Sequence, residues 1–334
     1  MKYVFVTGAG RCGTNLVNGI LDGHSKLNVF PGEITNLIFH TFVYNNYSLN
    51  FKDPKNAKII IDLFLKEKLI KNKSEKKIKI IKNLKSKQNF TLQELLDEIF
   101  LNLYKSKKIN VINIQNENIK GVLENFKDCK IIHMLRNPYT QINSRYLFRH
   151  KNPVNYSGTD FSESFKRNFI SFQQATIFKK NKNVKIIKME NLVDYPDKFV
   201  NKICNFIGVK KEKINLKLTK QNKIFKGTKE GLTNYSYSIE KYNNDFSCLL
   251  PNDLYYCSKI YPAKNFYKLI KYKKVNNSYV LFLLRQLGFI GNNRKVPKNI
   301  FKILKLTIHS IYNYIADRHI KNEFDNFLKE NSFH

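Results

Sequence analysis

The sequence predicts an α/β protein built on a doubly wound, mostly parallel sheet. Three observations carry that prediction. Runs at Tyr3–Thr7, Lys130–Leu135 and Val184–Met189 are largely apolar, as central parallel strands buried on both faces require. Each run is followed by a helical pattern, Thr14–Asp22, Pro138–Phe148 and Pro196–Ile207, and such alternation winds a parallel sheet. Between the first strand and its helix lies the stretch GAGRCGTN, residues 8 to 15, a glycine-rich turn of the kind that holds an anion at a helix N-terminus.

Taken in order, the first strand opens the chain and runs straight into that loop. A second strand precedes Glu33 in FPGEITNLI. Residues 34 to 110 read as a helical insertion, with amphipathic segments Ala57–Ile70 and Thr91–Tyr104 joined by a lysine-rich connector. Pro138 and Pro196 stand in the first turn of their helices, where the missing N–H costs nothing. Past Lys271 the pattern is helical again, through Ser278–Leu287 and Pro297–Phe327. The expected division is a main domain over 1–270 and a basic helical C-terminal extension over 271–334. No internal repeat is evident.

With 334 residues, 42% hydrophobic and 13% aromatic, the chain is long and apolar enough to bury a sizeable core, which excludes a disordered protein. The net charge of +33 has two readings. It favours an anionic partner such as a nucleotide, an acidic glycan, nucleic acid or a membrane surface. It also follows from a compositional bias toward Lys and Asn, visible in runs such as Lys179-Lys180-Asn181-Lys182. The cysteines Cys12, Cys129, Cys204, Cys248 and Cys257 are widely spaced, without a CxxC pair or Cys/His cluster, so no metal site is expected. Reduced thiols follow, a Cys248–Cys257 bridge being the exception to examine. The chain has no charged leader before its first strand, and its late apolar run Tyr279–Leu284 closes at Arg285, too short for a membrane span. A soluble cytoplasmic protein without a transmembrane segment is expected.

The loop departs from a nucleotide-triphosphate loop in an informative way. That loop is G-x-x-x-x-G-K-[ST], whose Lys reaches the outer phosphates and whose hydroxyl holds magnesium. Gly8 and Gly13 have the spacing, but Thr14 stands in place of Lys and Asn15 in place of the hydroxyl. Backbone amides over residues 10 to 15 still form an anion nest, aided by the following helix dipole. Arg11 adds a forked cation. Such a site suits a phosphate and not a magnesium-bound triphosphate.

A second stretch, KIIHMLRNPYTQINSRY (130 to 146), is a buried strand ending at Arg136, then Asn-Pro, then a helix bearing Ser144. Arg136 would emerge at the carboxyl end of its strand, where open α/β sheets bind ligands. Two phosphate sites fit a ligand phosphorylated at both ends.

TGAGRCGTNLVNGILDGH resembles the 5′-phosphosulfate loop of the sulfotransferase family, and LRNPYTQINS resembles its 3′-phosphate motif. A third stretch, VKIIKMENLVDYPDKFVNKICNFIGV (184 to 209), is similar to the family's strand–helix segment. The resemblance covers the first forty residues and roughly 128 to 210. It implies a metal-independent enzyme that moves the sulfonate of 3′-phosphoadenosine-5′-phosphosulfate (PAPS) to a hydroxyl or amine.

By resemblance, the amides of Gly10, Cys12, Gly13, Thr14 and Asn15 bind the 5′-phosphate, with Arg11 and the Thr14 hydroxyl on phosphate or sulfonate oxygens. Arg11 is placed to stabilise charge growing on the leaving phosphate, where the plain alternative is a surface arginine. Arg136 and Ser144 would hold the 3′-phosphate; otherwise they are a helix-start arginine and a serine bonded to its own helix. Cys12 replaces the commoner serine and is not expected to be a nucleophile. Glu190 reads as structural. The acceptor must lose a proton, so a base within reach is needed. Glu33 resembles the glutamate several family members place after the loop, against a plain helix-start carboxylate; His24 is the second candidate, against a structural histidine. Lys226 and Gly227 suggest a late cofactor loop, with Phe225, Tyr235 or Tyr237 to stack adenine in a chain without Trp.

Two other classes compete. A P-loop kinase shares the strand–loop–helix core but needs the absent lysine and a strand-end Asp for magnesium. A non-enzymatic anion- or nucleic-acid-binding protein would explain the charge and leave the ordered motifs unexplained. The acceptor, a glycan or other hydroxyl compound, is not legible, and specific nucleic-acid binding is not expected.

Overall fold

Five strands form one all-parallel sheet: β1 (Tyr3–Gly8), β2 (Leu27–Ile34), β3 (Ile109–Ile114), β4 (Cys129–Leu135) and β5 (Val184–Lys188), in the order β2-β3-β1-β4-β5. The computed structural model describes residues 2–34, 61–62, 64–65, 72–85, 91–104, 106, 108–114, 118–126, 128–142, 144, 161–213, 219–220, 223–224 and 251–260, with single positions from 279 to 326. β1 is central, and the chain winds to β2 and β3 on one side of it before crossing to β4 and β5 on the other. That reversal is the topological switch point, where the loops beyond the carboxyl ends of the strands take ligands. The loop Gly8–Gly13 leaves β1 there.

The helices are α1 (Thr14–Leu21), α2 (Lys73–Lys85), α3 (Leu92–Tyr104), α4 (Ile119–Asn125), α5 (Phe161–Phe178), α6 (Met189–Asp194), α7 (Pro196–Ile207) and α8 (Pro251–Ile260). A short antiparallel pair, β6 (Thr219–Lys220) and β7 (Lys223–Ile224), follows α7 in the chain. Residues 138–142 and 144 are helical, as are all the described positions between 279 and 326. Among the described residues no helix is long and apolar enough to cross a membrane.

The chain divides into two compact units. The first comprises Met1–Leu135, Gln173–Thr228 and Leu232–Tyr237 and holds the whole sheet. Every residue of β1 is buried, so its alternating side chains need cover on both faces. Tyr3 and Phe5 enter a core with Phe30, Phe64, Phe100 and Phe126. Phe5 and Phe126 lie 4.6 Å apart between ring centroids, and the Tyr3 hydroxyl donates to Asp97 of α3 at 2.7 Å. The buried apolar side chains of α1 (Leu16, Val17, Ile20 and Leu21) lie outside that cluster, and α1 covers the other face.

The second unit comprises Arg136–Phe172, Lys229–Gly231 and Ser238–His334. Its core gathers Tyr139, Ile142, Phe165, Tyr256 and Cys257. Lys321 pairs with Asp253 of α8 at 2.8 Å, both almost fully buried, and the Tyr256 hydroxyl donates to Asp325 at 2.9 Å. Removing either member of the Lys321–Asp253 pair would leave a buried charge alone, so the pair ties the C-terminal helical residues to α8 specifically.

Several expectations need correction. The lysine-rich connector is helix α2, because Ile80 and Leu84 fall one turn apart and are buried in the core. The stretch read as a helical insertion ends in strand β3, which pairs with β1 and β2 at once. Met189 begins α6 and does not end β5. The helices α4, α5 and α8 carry no prior expectation. The start of α3 is closed by a reciprocal cap: the Thr91 amide donates to Glu94 at 2.7 Å and the Glu94 amide donates to Thr91 Oγ1 at 3.2 Å.

Candidate active site

The loop after β1 is shaped by two glycines. Gly8 has φ +142, and a Cβ there would sit 2.5 Å from the Met134 carbonyl oxygen and 2.6 Å from the Cys12 sulfur. Gly13 has φ +98, with a Cβ 3.2 Å from Met189. Only glycine tolerates both the left-handed backbone and the close approach. Arg11 also has positive φ, 70, a strained conformation for a residue with a side chain. Left-handed Arg11 and Gly13 alternate with Cys12, whose amide donates to Ala9 O at 3.2 Å; such alternation is the backbone pattern of an anion nest.

Helix α1 continues the nest. Its first intrahelical donors are the amides of Leu16 and Val17, both to Gly13 O at 3.0 and 3.2 Å. Thr14 and Asn15 precede them, at the turn where amides have no acceptor within the helix. No acidic side chain stands in that first turn and no side chain caps Gly13. Cys12 is buried with its sulfur against Gly8, filling the space a Cβ would take. It offers the loop packing and its backbone, not an exposed thiol.

Glu33 lies inside β2, not beyond it. Between Val29 and Glu33 the β2–β3 register shifts: Val29 pairs with Val111, and Glu33 pairs with Asn113. Four steps along β2 therefore face two along β3, and Phe30-Pro31-Gly32 form the bulge. Pro31 is tolerated because β2 is an edge strand and the bulge interrupts the ladder. Asn18 of α1 takes the bulged carbonyl, donating from Nδ2 to Phe30 O at 2.9 Å. Just past the bulge, Asn15 Nδ2 donates to Glu33 Oε1, and Asn113 Nδ2 donates to Asn15 Oδ1 at 2.8 Å. The carboxylate and the loop after β1 are thus joined through one side chain. The Oδ1 atoms of Asn18 and Asn113 are buried without a hydrogen-bond partner. Neither asparagine was found from the sequence; a polar residue among the β-branched positions of INVINI is the only signal for Asn113.

In the second unit Arg136 is buried, and its Nε donates to Thr140 Oγ1 at 3.2 Å, while that hydroxyl donates to Asn137 O at 3.1 Å. Asn137 starts the following helix, its Oδ1 accepting the Tyr139 amide at 3.0 Å and its carbonyl the Gln141 amide at 2.9 Å. Arg136 is thereby held at a helix start. Ser144, half-buried, lies further along that helical stretch. Glu190 sits in the first turn of α6, half-buried.

His24 is buried at the opposite, amino edge of the sheet, between α1 and β2 in the chain. Its Nδ1 accepts the Lys26 amide at 3.0 Å, so Nε2 carries the ring proton and donates to Lys210 O at 2.9 Å. Both nitrogens serve the backbone. A cavity of about 450 Å³ opens beside it, lined by Asp22, Asn28, Tyr104 and Lys108 among others. The polar groups of Asn28 and Tyr104 are engaged within the fold, Tyr104 donating to Val29 O at 2.7 Å. Burial pushes the thiols of Cys129 and Cys204 up to about 11, which keeps them protonated and unreactive near neutrality. Cys257 is a free buried thiol. Lys226, Gly227, Phe225, Tyr235, Tyr237 and Cys248 lie outside the described residues.

A family model described as the sulfotransferase family matches residues 4–213. Among solved structures the chain is similar to a sulfotransferase domain from the curacin biosynthetic pathway, with a TM-score of 0.53 at 18% identity over 81% of this chain and 98% of that one. It is similar also to a sulfotransferase domain from the olefin synthase of Synechococcus PCC 7002, with a TM-score of 0.52 at 17% identity over 80% and 96%. At that identity the two structures establish the shared fold. No curated protein matches the sequence significantly.

Proposed function

This chain belongs to the sulfotransferase family, and on that premise we propose that it transfers the sulfonate of PAPS, without a metal, to a hydroxyl or amine acceptor. The observation that carries the reading is the loop itself. Its left-handed Arg11 and Gly13 and the open first turn of α1 suit an anion, and Thr14 stands where a triphosphate-binding loop needs lysine. The amides of Gly10, Cys12, Gly13, Thr14 and Asn15 hold the 5′-phosphate, with the Thr14 hydroxyl and Arg11 on its oxygens. Arg136 and Ser144 take the 3′-phosphate, and Lys226 and Gly227 complete the nucleotide site.

In the transfer, the acceptor oxygen forms a bond to sulfur as the bond from sulfur to the 5′-phosphate oxygen breaks. Glu33 receives the proton that the acceptor loses, a role its place beside the loop supports. Arg11 stabilises the negative charge that gathers on the departing phosphate, which leaves as 3′,5′-ADP. Glu33, not His24, is assigned the base, because both nitrogens of His24 bond to backbone. A glycan or other hydroxyl compound is the favoured acceptor, and the charge of +33 suits an anionic one.

Isothermal titration tests the reading. 3′,5′-ADP should bind with magnesium chelated, and ATP with magnesium should not compete. Magnesium-dependent binding of ATP with none of 3′,5′-ADP would instead identify a kinase.

A further inference from the structure

We propose that Asn113 is a positioning residue for the transfer: through Asn15 it fixes the orientation of the Glu33 carboxylate. The inference rests on the reading of Glu33 as the base and adds to it a relay that the loop motif does not contain.

The relay uses three elements. Asn113 lies in β3, Asn15 in the first turn of α1 and Glu33 in β2. Glu33 and Asn113 face each other only because the bulge shifts the β2 register. A side-chain amide has one acceptor end and one donor end. Asn113 Nδ2 claims the acceptor end of Asn15 at 2.8 Å, so the donor end of Asn15 is turned to Glu33 Oε1. Rotated the other way, Asn15 would set its carbonyl against a carboxylate. Asn113 therefore decides which end of Asn15 the carboxylate meets, and the charged acceptor strengthens that bond.

The fold does not need Asn113 for its own stability. Its side chain is 0% exposed and its Oδ1 has no hydrogen-bond partner. An unpaired buried carbonyl is destabilising, and an apolar side chain of similar shape can be neutral or better. The neighbouring positions Val111, Ile112 and Ile114 are all buried apolar residues. A polar group kept at such a place, with its one bond directed at the partner of the base, is a feature of the site.

The test separates turnover from stability. Asn113→Leu should unfold at a temperature no lower than the parent and bind 3′,5′-ADP within about twofold of it. Its acceptor-free conversion of radiolabelled PAPS to 3′,5′-ADP and sulfate should slow by about 10–100-fold, the usual cost of a misdirected catalytic group. In a Glu33→Gln background the same substitution should cost nothing more, since a relay acts only through its end member. Equal losses in both backgrounds, or lowered melting with unchanged turnover, overturn the proposal. A Glu33→Gln protein with normal turnover removes the base itself, and the positioning role with it, a pattern distinct from either. Asn15→Ala, at an exposed position, serves if Asn113→Leu does not fold; it should show the same slowing and the same silence behind Glu33→Gln. Nuclear magnetic resonance reads the relay with no turnover at all. The Asn15 side-chain amide protons, assigned by their loss in Asn15→Ala, should shift in both Asn113→Leu and Glu33→Gln, and protons indifferent to Asn113→Leu refute it.

Discussion

At the amino end of the β2–β3 pair Asn28 faces Asn110, and at the carboxyl end Glu33 faces Asn113. The first pair is closed on itself: Asn28 Nδ2 donates to Asn110 Oδ1 at 3.0 Å, and Ser106 Oγ donates to Asn28 Oδ1 at 3.0 Å. Nearby, His24 bonds backbone with both ring nitrogens, and Glu212 accepts the Ser25 amide and hydroxyl. The second pair is left open, with Asn113 Oδ1 unpartnered and Asn18 Oδ1 unpartnered beside the bulge. Polar residues at the amino end secure strand ends and loops, and their bonds are complete without a ligand. Polar residues at the carboxyl end carry a stability cost, as sites for a reaction do. The two ends should therefore respond differently to substitution: turnover should fall at one and stability at the other.

The largest effect is expected at the carboxyl end. Glu33→Gln keeps the size and removes the proton acceptor, so PAPS turnover should fall by about 10²–10⁴-fold. Its melting temperature and its affinity for 3′,5′-ADP should hold. A folded variant that has lost the nucleotide would place Glu33 in the nucleotide pocket and blur the distinction between binding and chemistry at that end.

A smaller effect of the opposite kind is expected from His24→Ala. The Lys210 carbonyl and Lys26 amide lose their partner, and unfolding free energy should drop by about 1–3 kcal/mol, the cost of leaving such groups unmatched. Turnover per folded molecule should not change. A stable His24→Ala protein that has lost turnover would move the base to His24 and break the comparison.

The smallest effect is one of pH. Hydrogen bonding from the Ser25 hydroxyl, first among its causes, holds the Glu212 carboxyl below the usual range. A carboxylate with a depressed folded pKa adds stability above its unfolded pKa, and that stability is lost as pH falls through the folded value. The Glu212 side chain is 35% exposed, so solvent screens much of the gain. Unfolding measured from neutral pH into the acid range should show a shallow loss that Glu212→Gln abolishes, with 3′,5′-ADP affinity untouched above pH 5. A steep loss shared by Glu212→Gln would assign the acid sensitivity to other groups.

Local signals carry most of what the sequence by itself determines. Gly8 and Gly13 announce a turn that side chains cannot enter, and Arg11 without a following lysine sets the loop apart from a nucleotide-triphosphate loop. Pro196 marks the start of α7, which runs Pro196–Ile207 as its apolar spacing predicts. Each of these depends on neighbours a few residues away, where backbone sterics and periodicity act. The tertiary structure decided what depends on distant partners. Ile109–Ile114 is short and carries two asparagines, and it is a strand because β1 and β2, some eighty and more residues earlier, offer it ladders on both sides. Lys73–Lys85 is a helix because a core receives Ile80 and Leu84. Glu33 could be singled out from its place after the loop, but its meeting with Asn113 depends on a bulge whose two extra residues become visible only when β2 and β3 are paired. A one-chain pattern records spacing along the backbone, whereas a register is a relation between two backbones, and only folding supplies the second.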